Sequence, residues 1–272
     1  MNLLLLDAAE VAPDGTVRLG GRRARHALEV LRAAPGDRLA VGVVGGGLGS
    51  GEVLAAAAPE VLLRVGLGRP PPPPSPVSLL LALPRPKILR RLLQATASMG
   101  VKRLVLVGSW RVEKSYFASP LLAPDAIGAE LRLGLEQGRD TVLPEVVVRR
   151  FFKPFVEDEL DAVLPAPVRL LAHPGPHGTL DLPGATDAVA PAAARPTPPP
   201  DAPAATLAVG PEGGFTPYEA GALVERGFRP FSLGPRALRV DVAVPFAVAQ
   251  VEQWLRGRQR PVVEGQRPTV EG

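Results

Sequence analysis

The sequence predicts an α/β fold preceded by a small β-rich module, on three observations. Residues 207–255 read as strand, glycine loop, helix, strand, loop, helix. Residues 77–107 carry a strand, a helix and a second strand, the grammar of a parallel βαβ unit. Before them, four short strand candidates separated by turn residues occupy the first 68 positions. With 272 residues and 46% hydrophobic content, the chain is long and apolar enough for one large or two modest cores.

The four early strand candidates are 3–6, 37–44, 51–56 and 61–65. Between the first two, Arg22, Arg23, Arg25, His26 and Arg32 surround Leu28 and Leu31, whose spacing of three is helical. Such a basic face can grip phosphates or simply be solvated, and both readings stay open. The glycine cluster at 45–51 fits neither a G-x-G-x-x-G nor a G-x-x-x-x-G-K-[ST] register, and no long helical pattern follows it, so a hairpin loop is expected. Prolines 70–74 make 69–76 a stiff polyproline spacer, and a domain boundary is expected there, between 1–68 and 77–256.

The apolar run 77–83 suits a buried parallel strand. Pro86 opens a helix with Ile88, Leu89, Leu92, Leu93, Thr96 and Met99 on one side and Gly100 as its stop; a strand at 104–107 follows. Lys87, Arg90 and Arg91 fall off that apolar side and read as a solvated face. A further helix is expected at 125–137 and a strand at 168–172, ending in His173-Pro174-Gly175. His173 and His177 are four apart, but the prolines and glycine between them preclude the single helix face that zinc motifs use, so no metal is expected. Residues 182–203, rich in proline and alanine, read as a long surface loop. Gly210-Pro211-Glu212-Gly213-Gly214 then breaks a short apolar strand. Thr216-Pro217-Tyr218-Glu219 is a capping box with proline at the first helical position, which predicts a helix from Pro217 that stops before Gly227. A strand at 231–233 and the loop Gly234-Pro235-Arg236 lead to an apolar helix over 238–255, with Pro245 near its start. The polar tail, 257–272, lacks periodicity and is expected to be disordered.

Composition removes several function classes. The chain has no cysteine, so disulfides, thiolate metal sites and thiol nucleophiles are excluded. No apolar run approaches a membrane span, and the apolar start is too short for a signal peptide, so a soluble cytoplasmic protein is expected. The net charge of +4 permits an anionic partner without demanding one. No G-x-S-x-G elbow is present and no histidine sits in a nucleophile constellation, which argues against covalent hydrolysis. Both special loops of the last third lie where open α/β sheets bind ligands, at the carboxyl ends of strands. Glu212, Arg236, Arg239 and Asp241 place charges there, although the glycine run read alone is equally a tight turn before a capped helix.

Residues 210–214 with Phe215, Thr216 and Glu219, followed by Leu233 to Arg236, Ala237, Leu238 and Arg239, resemble the C-terminal hallmark of the RsmE family. These are the 16S rRNA uridine N3-methyltransferases of the SPOUT superfamily. The resemblance covers most of the chain. His26 to Arg32 with Pro35-Gly36-Asp37 is similar to the H-x-x-x-V-L-R and G-D element of the family's N-terminal PUA-like barrel. Ser109-Trp110-Arg111 through Lys114 is similar to S-E-R-x-x-x-K, with Trp110 in place of the acid. Glu136-Gln137-Gly138-Arg139 is similar to E-Q-x-G-R, with the Gly-Arg pair one position early, and His173-Pro174 to the family's H-P turn. The chain departs from the pattern at Ser98, usually glutamate, at its apolar rather than arginine-bearing start, and at Val240-Asp241-Val242, where the family reads T-E-T.

The resemblance implies a SPOUT domain with a C-terminal trefoil knot, an RNA-binding PUA-like β-barrel and a homodimer. It implies S-adenosylmethionine as cofactor, held by His173, Gly210, Pro211, Glu212, Gly213, Gly214, Leu233, Gly234, Ala237 and Leu238. It implies 16S rRNA or the small ribosomal subunit as partner, met by Arg22, Arg23, Arg25, His26, Arg32, Arg111 and Arg139. Methyl transfer from a sulfonium needs alignment rather than a metal. Uracil N3 carries a proton in the neutral base, so Arg236 or Arg239 would stabilise the deprotonated form, and Asp241 would orient an arginine or accept the proton. Two other readings stand beside this one: a non-catalytic RNA-binding or ribosome-assembly protein that keeps the fold, and an enzyme for another RNA nucleotide.

Overall fold

The computed structural model describes residues 2–174, 199 and 201–258. Gly175, His177, nearly all of the expected 182–203 loop and the tail from 259 lie outside them.

The first five strands are β1 (Leu4–Leu6), β2 (Thr16–Leu19), β3 (Arg38–Val43), β4 (Leu48–Ala57) and β5 (Glu60–Arg69). They form one sheet in the order β1-β3-β4-β5-β2, antiparallel except for the parallel β1/β3 pair. Inward-facing Val17, Leu19, Val41, Val53, Val61 and Leu63 build its own core. Gly45 and Gly46 turn the β3/β4 hairpin, closed by Val43 N–H to the Gly47 carbonyl at 3.1 Å; the expected hairpin forms, but its loop is shorter than 45–51 because Leu48 to Gly51 already belong to β4. The sequence reading missed β2, whose four residues carry outward Arg18 and half-covered Thr16 and so lack a clear apolar run.

The basic helix differs from its expected face. It runs as α1 (Gly21–Arg25) and then widens to a π turn at His26–Val30, closed by Leu31 N–H to the His26 carbonyl at 3.0 Å. The wider turn and the left-handed Arg32 (φ 53°) swing Leu31 outward, so Ala24 and Ala27 are the buried residues instead.

The second sheet is wholly parallel, in the order β11-β9-β10-β6-β7-β8. Its strands are β6 (Val77–Ala82), β7 (Arg103–Val107), β8 (Glu145–Arg149), β9 (Val168–Ala172), β10 (Ala205–Val209) and β11 (Arg229–Phe231). β6 and β10 are buried at every position, the signature of strands covered on both faces. Helix α2 (Pro86–Ser98) buries Ile88, Leu89, Leu92, Leu93 and Thr96 as its periodicity predicts. It packs against α3 (Pro124–Gly138) and against the long C-terminal helix α7 (Val240–Arg258). Two short helices, α4 (Phe152–Pro154) and α5 (Leu160–Val163), flank a π turn, and α6 (Pro217–Glu225) follows the glycine loop.

Two boundaries shift from expectation. β11 ends at Phe231 rather than starting there, because its register pairs Arg229–Phe231 with Leu170–Ala172; Pro230 is accommodated since β11 is an edge strand. Helix α7 starts at Val240, two residues late, with 237–239 carrying no regular structure.

The two halves touch through apolar Leu3, Leu5 and Leu48, which join the core of the second sheet, and through polar pairs. Arg132 donates to Asp7 at 2.5 Å, Arg22 to Glu136 at 2.7 Å, and Thr141 Oγ1 to the Gly46 carbonyl at 2.6 Å. The expected spacer is left as 70–76, without helix or strand, since β5 runs on to Arg69, and Ser75 ties it to Glu252 of α7 at 2.6 Å. No helix among the described residues is long and apolar enough to cross a membrane.

Candidate active site

The parallel register fixes where the chemistry collects, because β9, β10 and β11 all end at the same edge of the sheet. β10 releases the chain at Val209 into the glycine loop. Gly214 adopts φ 71° and donates to the Pro211 carbonyl at 2.7 Å, reversing the chain ahead of Thr216. β11 releases it at Phe231 into a loop held by Ser232, whose hydroxyl accepts from Gly234 N–H at 3.1 Å, with Gly234 at φ 113°. β9 ends at Ala172, and His173 N–H donates to the Phe231 carbonyl at 3.1 Å.

These three loop starts enclose one cavity. It is lined by His173, Gly210, Pro211, Glu212, Gly214, Leu233, Gly234, Ala237 and Leu238, with Arg236 at its edge and Val209, Phe215, Val240 and Ala243 as apolar wall. Stretches far apart in sequence thus meet at one cavity, although Gly213, expected beside the cofactor, is not among its lining residues. The backbone N–H groups of Leu233, Ala237 and Leu238 find no acceptor among the described residues, so this bent loop leaves donors for a ligand. Glu212 is paired with Arg85 at 3.3 Å. A Cβ at Gly210 would lie 2.8 Å from the Phe215 nitrogen and 3.1 Å from the Gly214 carbonyl carbon, so the loop closes this tightly only with glycine there.

Arg239 and Asp241 stand beside the cavity rather than in its wall. Arg239 donates twice to Asp241, at 2.6 and 3.1 Å, and Arg91 of α2 adds a contact at 3.3 Å. The Arg239 hydrogen bonds hold the Asp241 carboxyl below its ordinary value of 3.8, and the same hydrogen bonds, with the carboxylate's charge, raise the Arg239 guanidinium. A carboxylate so held is a poor proton acceptor near neutrality and a good clamp for an arginine. Because the folded value is depressed, its contribution to stability is full above the unfolded pKa and is lost as pH falls through the folded one. The stability gap between wild type and Asp241→Asn is therefore expected to be constant around pH 7 and to shrink only below pH ~4, as read by denaturant unfolding at several pH values. Arg236 is exposed and has no ion pair among the described residues.

Two residues tie the site to its neighbours in ways the motifs did not announce. Glu219 is almost wholly buried (3% exposed). It accepts from Trp110 N–H at 2.8 Å, Thr216 N–H at 2.9 Å, Thr216 Oγ1 at 3.0 Å and Ser109 Oγ at 3.2 Å. The capping box announced the Thr216 contacts; the link to the end of β7 had no local signal. Arg111, expected to meet RNA, donates to the Gly213 carbonyl and so braces the glycine loop.

The remaining basic residues gather elsewhere. Arg22 is spent on Glu136, and Arg23 on Glu10 and the Leu5 carbonyl. Arg23 in turn lowers the Glu10 carboxyl. Arg25, Arg32 and Arg139 are exposed, His26 is half-buried, and none of these lines the cavity. Arg139 caps α3 in the left-handed conformation (φ 55°), three residues beyond the Glu136 that Arg22 grips.

A family profile described as RNA methyltransferase domain matches residues 71–252, two-thirds of the sequence. The chain belongs to the RNA methyltransferase domain family. This RNA methyltransferase is 29% identical over 268 residues to the ribosomal RNA small subunit methyltransferase E of Treponema pallidum, covering 96% of each chain. Among solved structures, a putative methyltransferase from Legionella pneumophila, in complex with bound SAM, shares its fold at TM-score 0.66 and 23% identity, over 93% of this chain and 96% of that one. A ribosomal RNA small subunit methyltransferase E from Neisseria gonorrhoeae, bound to S-adenosyl methionine, does so at 0.64 and 18%, over 93% and 98%.

Proposed function

We propose that this RNA methyltransferase uses S-adenosylmethionine to methylate N3 of a uridine in 16S rRNA of the small ribosomal subunit, in the cytoplasm and as a homodimer. The observation that carries the reading is the cavity between the loops 210–214 and 233–238, with its apolar wall and the N–H donors of Leu233, Ala237 and Leu238 that have no acceptor among the described residues. That donor set fits the cofactor: backbone N–H groups suit the acceptor atoms of an adenine edge, and apolar side chains suit its faces. When bound, the cofactor supplies a methyl group already activated on positively charged sulfur.

The chain's own residues would do the rest. Residues 210–214 and 233–238 would hold the cofactor and keep water from it. Arg236, unpaired at the edge, would stabilise negative charge as N3 loses its proton, and Asp241 would fix Arg239 beside it. The relatives named for ribosomal RNA small subunit methylation support the substrate, and membership of an enzyme family weighs against a purely structural role.

A trefoil knot over the last strands is supported by the order β11-β9-β10-β6, in which β10 enters between strands formed earlier in the chain. The PUA-like barrel reading of 1–68, with 77–256 as the catalytic domain, is supported by the two separate sheets and by the core that the first sheet builds of its own residues. The homodimer is supported by Val242 and Phe246, four apart on α7 and about half exposed.

Gly210→Ala tests the cofactor assignment. The added Cβ meets backbone, so S-adenosylmethionine affinity measured by calorimetry is expected to fall at least ~10-fold with the fold retained. Unchanged affinity would remove the loop from the cofactor site.

A further inference from the structure

A second cavity, of about 760 Å³, opens at the same edge of the parallel sheet, beyond the ends of β7 and β8. It falls within the ~300–1,000 Å³ of ordinary ligand sites. Three large rings line it and are left mostly in solvent: Trp110 at 87% exposed, Phe151 at 67% and Tyr218 at 60%. Large apolar rings are costly to leave in water, and three around one cleft form a surface awaiting a partner.

Three cations, Lys114, Arg150 and Lys153, line the same cleft. Among the described residues Lys153 pairs with an exposed Glu157 alone, at 3.8 Å. The single acid in the wall is Glu219, whose two oxygens are already filled by four donors. The cleft is therefore aromatic and net positive. It also abuts the first cavity: Phe152 in its wall packs on Phe215 of the other, ring centroids 5.7 Å apart, and Thr216 and Glu219 follow Phe215 directly in the chain.

We propose that this cleft receives unpaired nucleotides of the RNA substrate, with a base stacked on Trp110 between Phe151 and Tyr218, and phosphates held by Lys114, Arg150 and Lys153. The inference rests on the RNA methyltransferase reading. A base with its pairing edge engaged exposes no N3, so the enzyme has to hold single-stranded or extruded nucleotides next to the methyl donor. Aromatic faces flanked by cations supply that grip without demanding a sequence. A protein partner would find apolar rings here but three cations to desolvate, whereas RNA satisfies both at once. Trp110 stands where the resembling family carries an acid, so at this position the chain offers a stacking ring instead of a negative charge.

The chain holds two tryptophans, which makes the test direct. Trp254 is buried (5% exposed) with Arg258 over its ring, so emission that responds to a soluble ligand reports Trp110. Titrating a short uridine-rich single-stranded oligoribonucleotide into the full chain is expected to quench emission saturably, and Trp110→Phe to remove that quenching. By fluorescence anisotropy of a labelled oligonucleotide, Trp110→Ala is expected to weaken binding about 10-fold. S-adenosylmethionine affinity should not change. Arg150→Ala is expected to lower the salt dependence of binding by about one phosphate contact. Equal oligonucleotide binding by wild type and Trp110→Ala overturns the proposal. So does Trp110 emission that changes with protein concentration alone, which would place a second copy of the chain in the cleft. Absence of cofactor binding in the wild type would overturn the methyltransferase mechanism instead, while quenching by RNA would still support the cleft.

Discussion

Arg236→Ala is expected to lower the rate of methyl transfer by about 10²–10³-fold while leaving S-adenosylmethionine affinity within a factor of ~2. The two candidate arginines are not equivalent. Arg239 is clamped by Asp241, itself contacted by Arg91, so its charge is largely offset before any substrate arrives. Arg236 lies at the edge of the cofactor cavity with no ion pair among the described residues, and its field is available to an incoming base. Uracil becomes nucleophilic at N3 as its proton leaves, and the negative charge then developing is what a fixed guanidinium stabilises. Arg236→Lys should recover part of the rate, because charge is kept and the planar fork is lost. Steady-state and single-turnover rates with saturating cofactor give the readout. A rate within ~3-fold of wild type for Arg236→Ala would move the role to Arg239 or to the RNA itself.

Glu219→Ala carries the largest expected cost in stability, about 3 kcal/mol, since it strands buried donors that the carboxylate now gathers. The loss would propagate. Glu219 joins the N-terminus of α6 to the loop after β7, and the glycine loop runs directly into that N-terminus. Cofactor affinity should therefore fall along with the urea midpoint. Glu219→Gln keeps an acceptor oxygen but turns an NH₂ toward the donors, so roughly half the loss is expected. A change below ~0.5 kcal/mol for Glu219→Ala would mean that water replaces the carboxylate without strain.

Most of the scaffold was legible because its signals are local. The Thr216/Glu219 capping box gave α6 nearly to the residue, and the apolar stripe of α2 and the continuous runs of β6 and β10 announced buried elements. The meeting of the two loops around the cavity proposed for the cofactor was legible because special loops follow strands, and parallel strands end together. What failed locally was governed by distant partners. β11 slid by two residues to pair with β9, and Leu31 turned outward when the helix widened into a π turn. Long-range polar choices left no periodic trace: Arg22 pairs with Glu136 across 114 residues, and Arg111 braces a loop 102 residues away. The aromatic cleft is of the same kind, drawn from the ends of β7 and β8 and the first turn of α6.

The central claim is tested most directly by incubating the protein and labelled S-adenosylmethionine with small ribosomal subunits from cells that lack it, followed by nucleoside mass spectrometry of the 16S rRNA. The account predicts label in 3-methyluridine, lost in Arg236→Ala. Label in another nucleoside, or none despite bound cofactor, would contradict it.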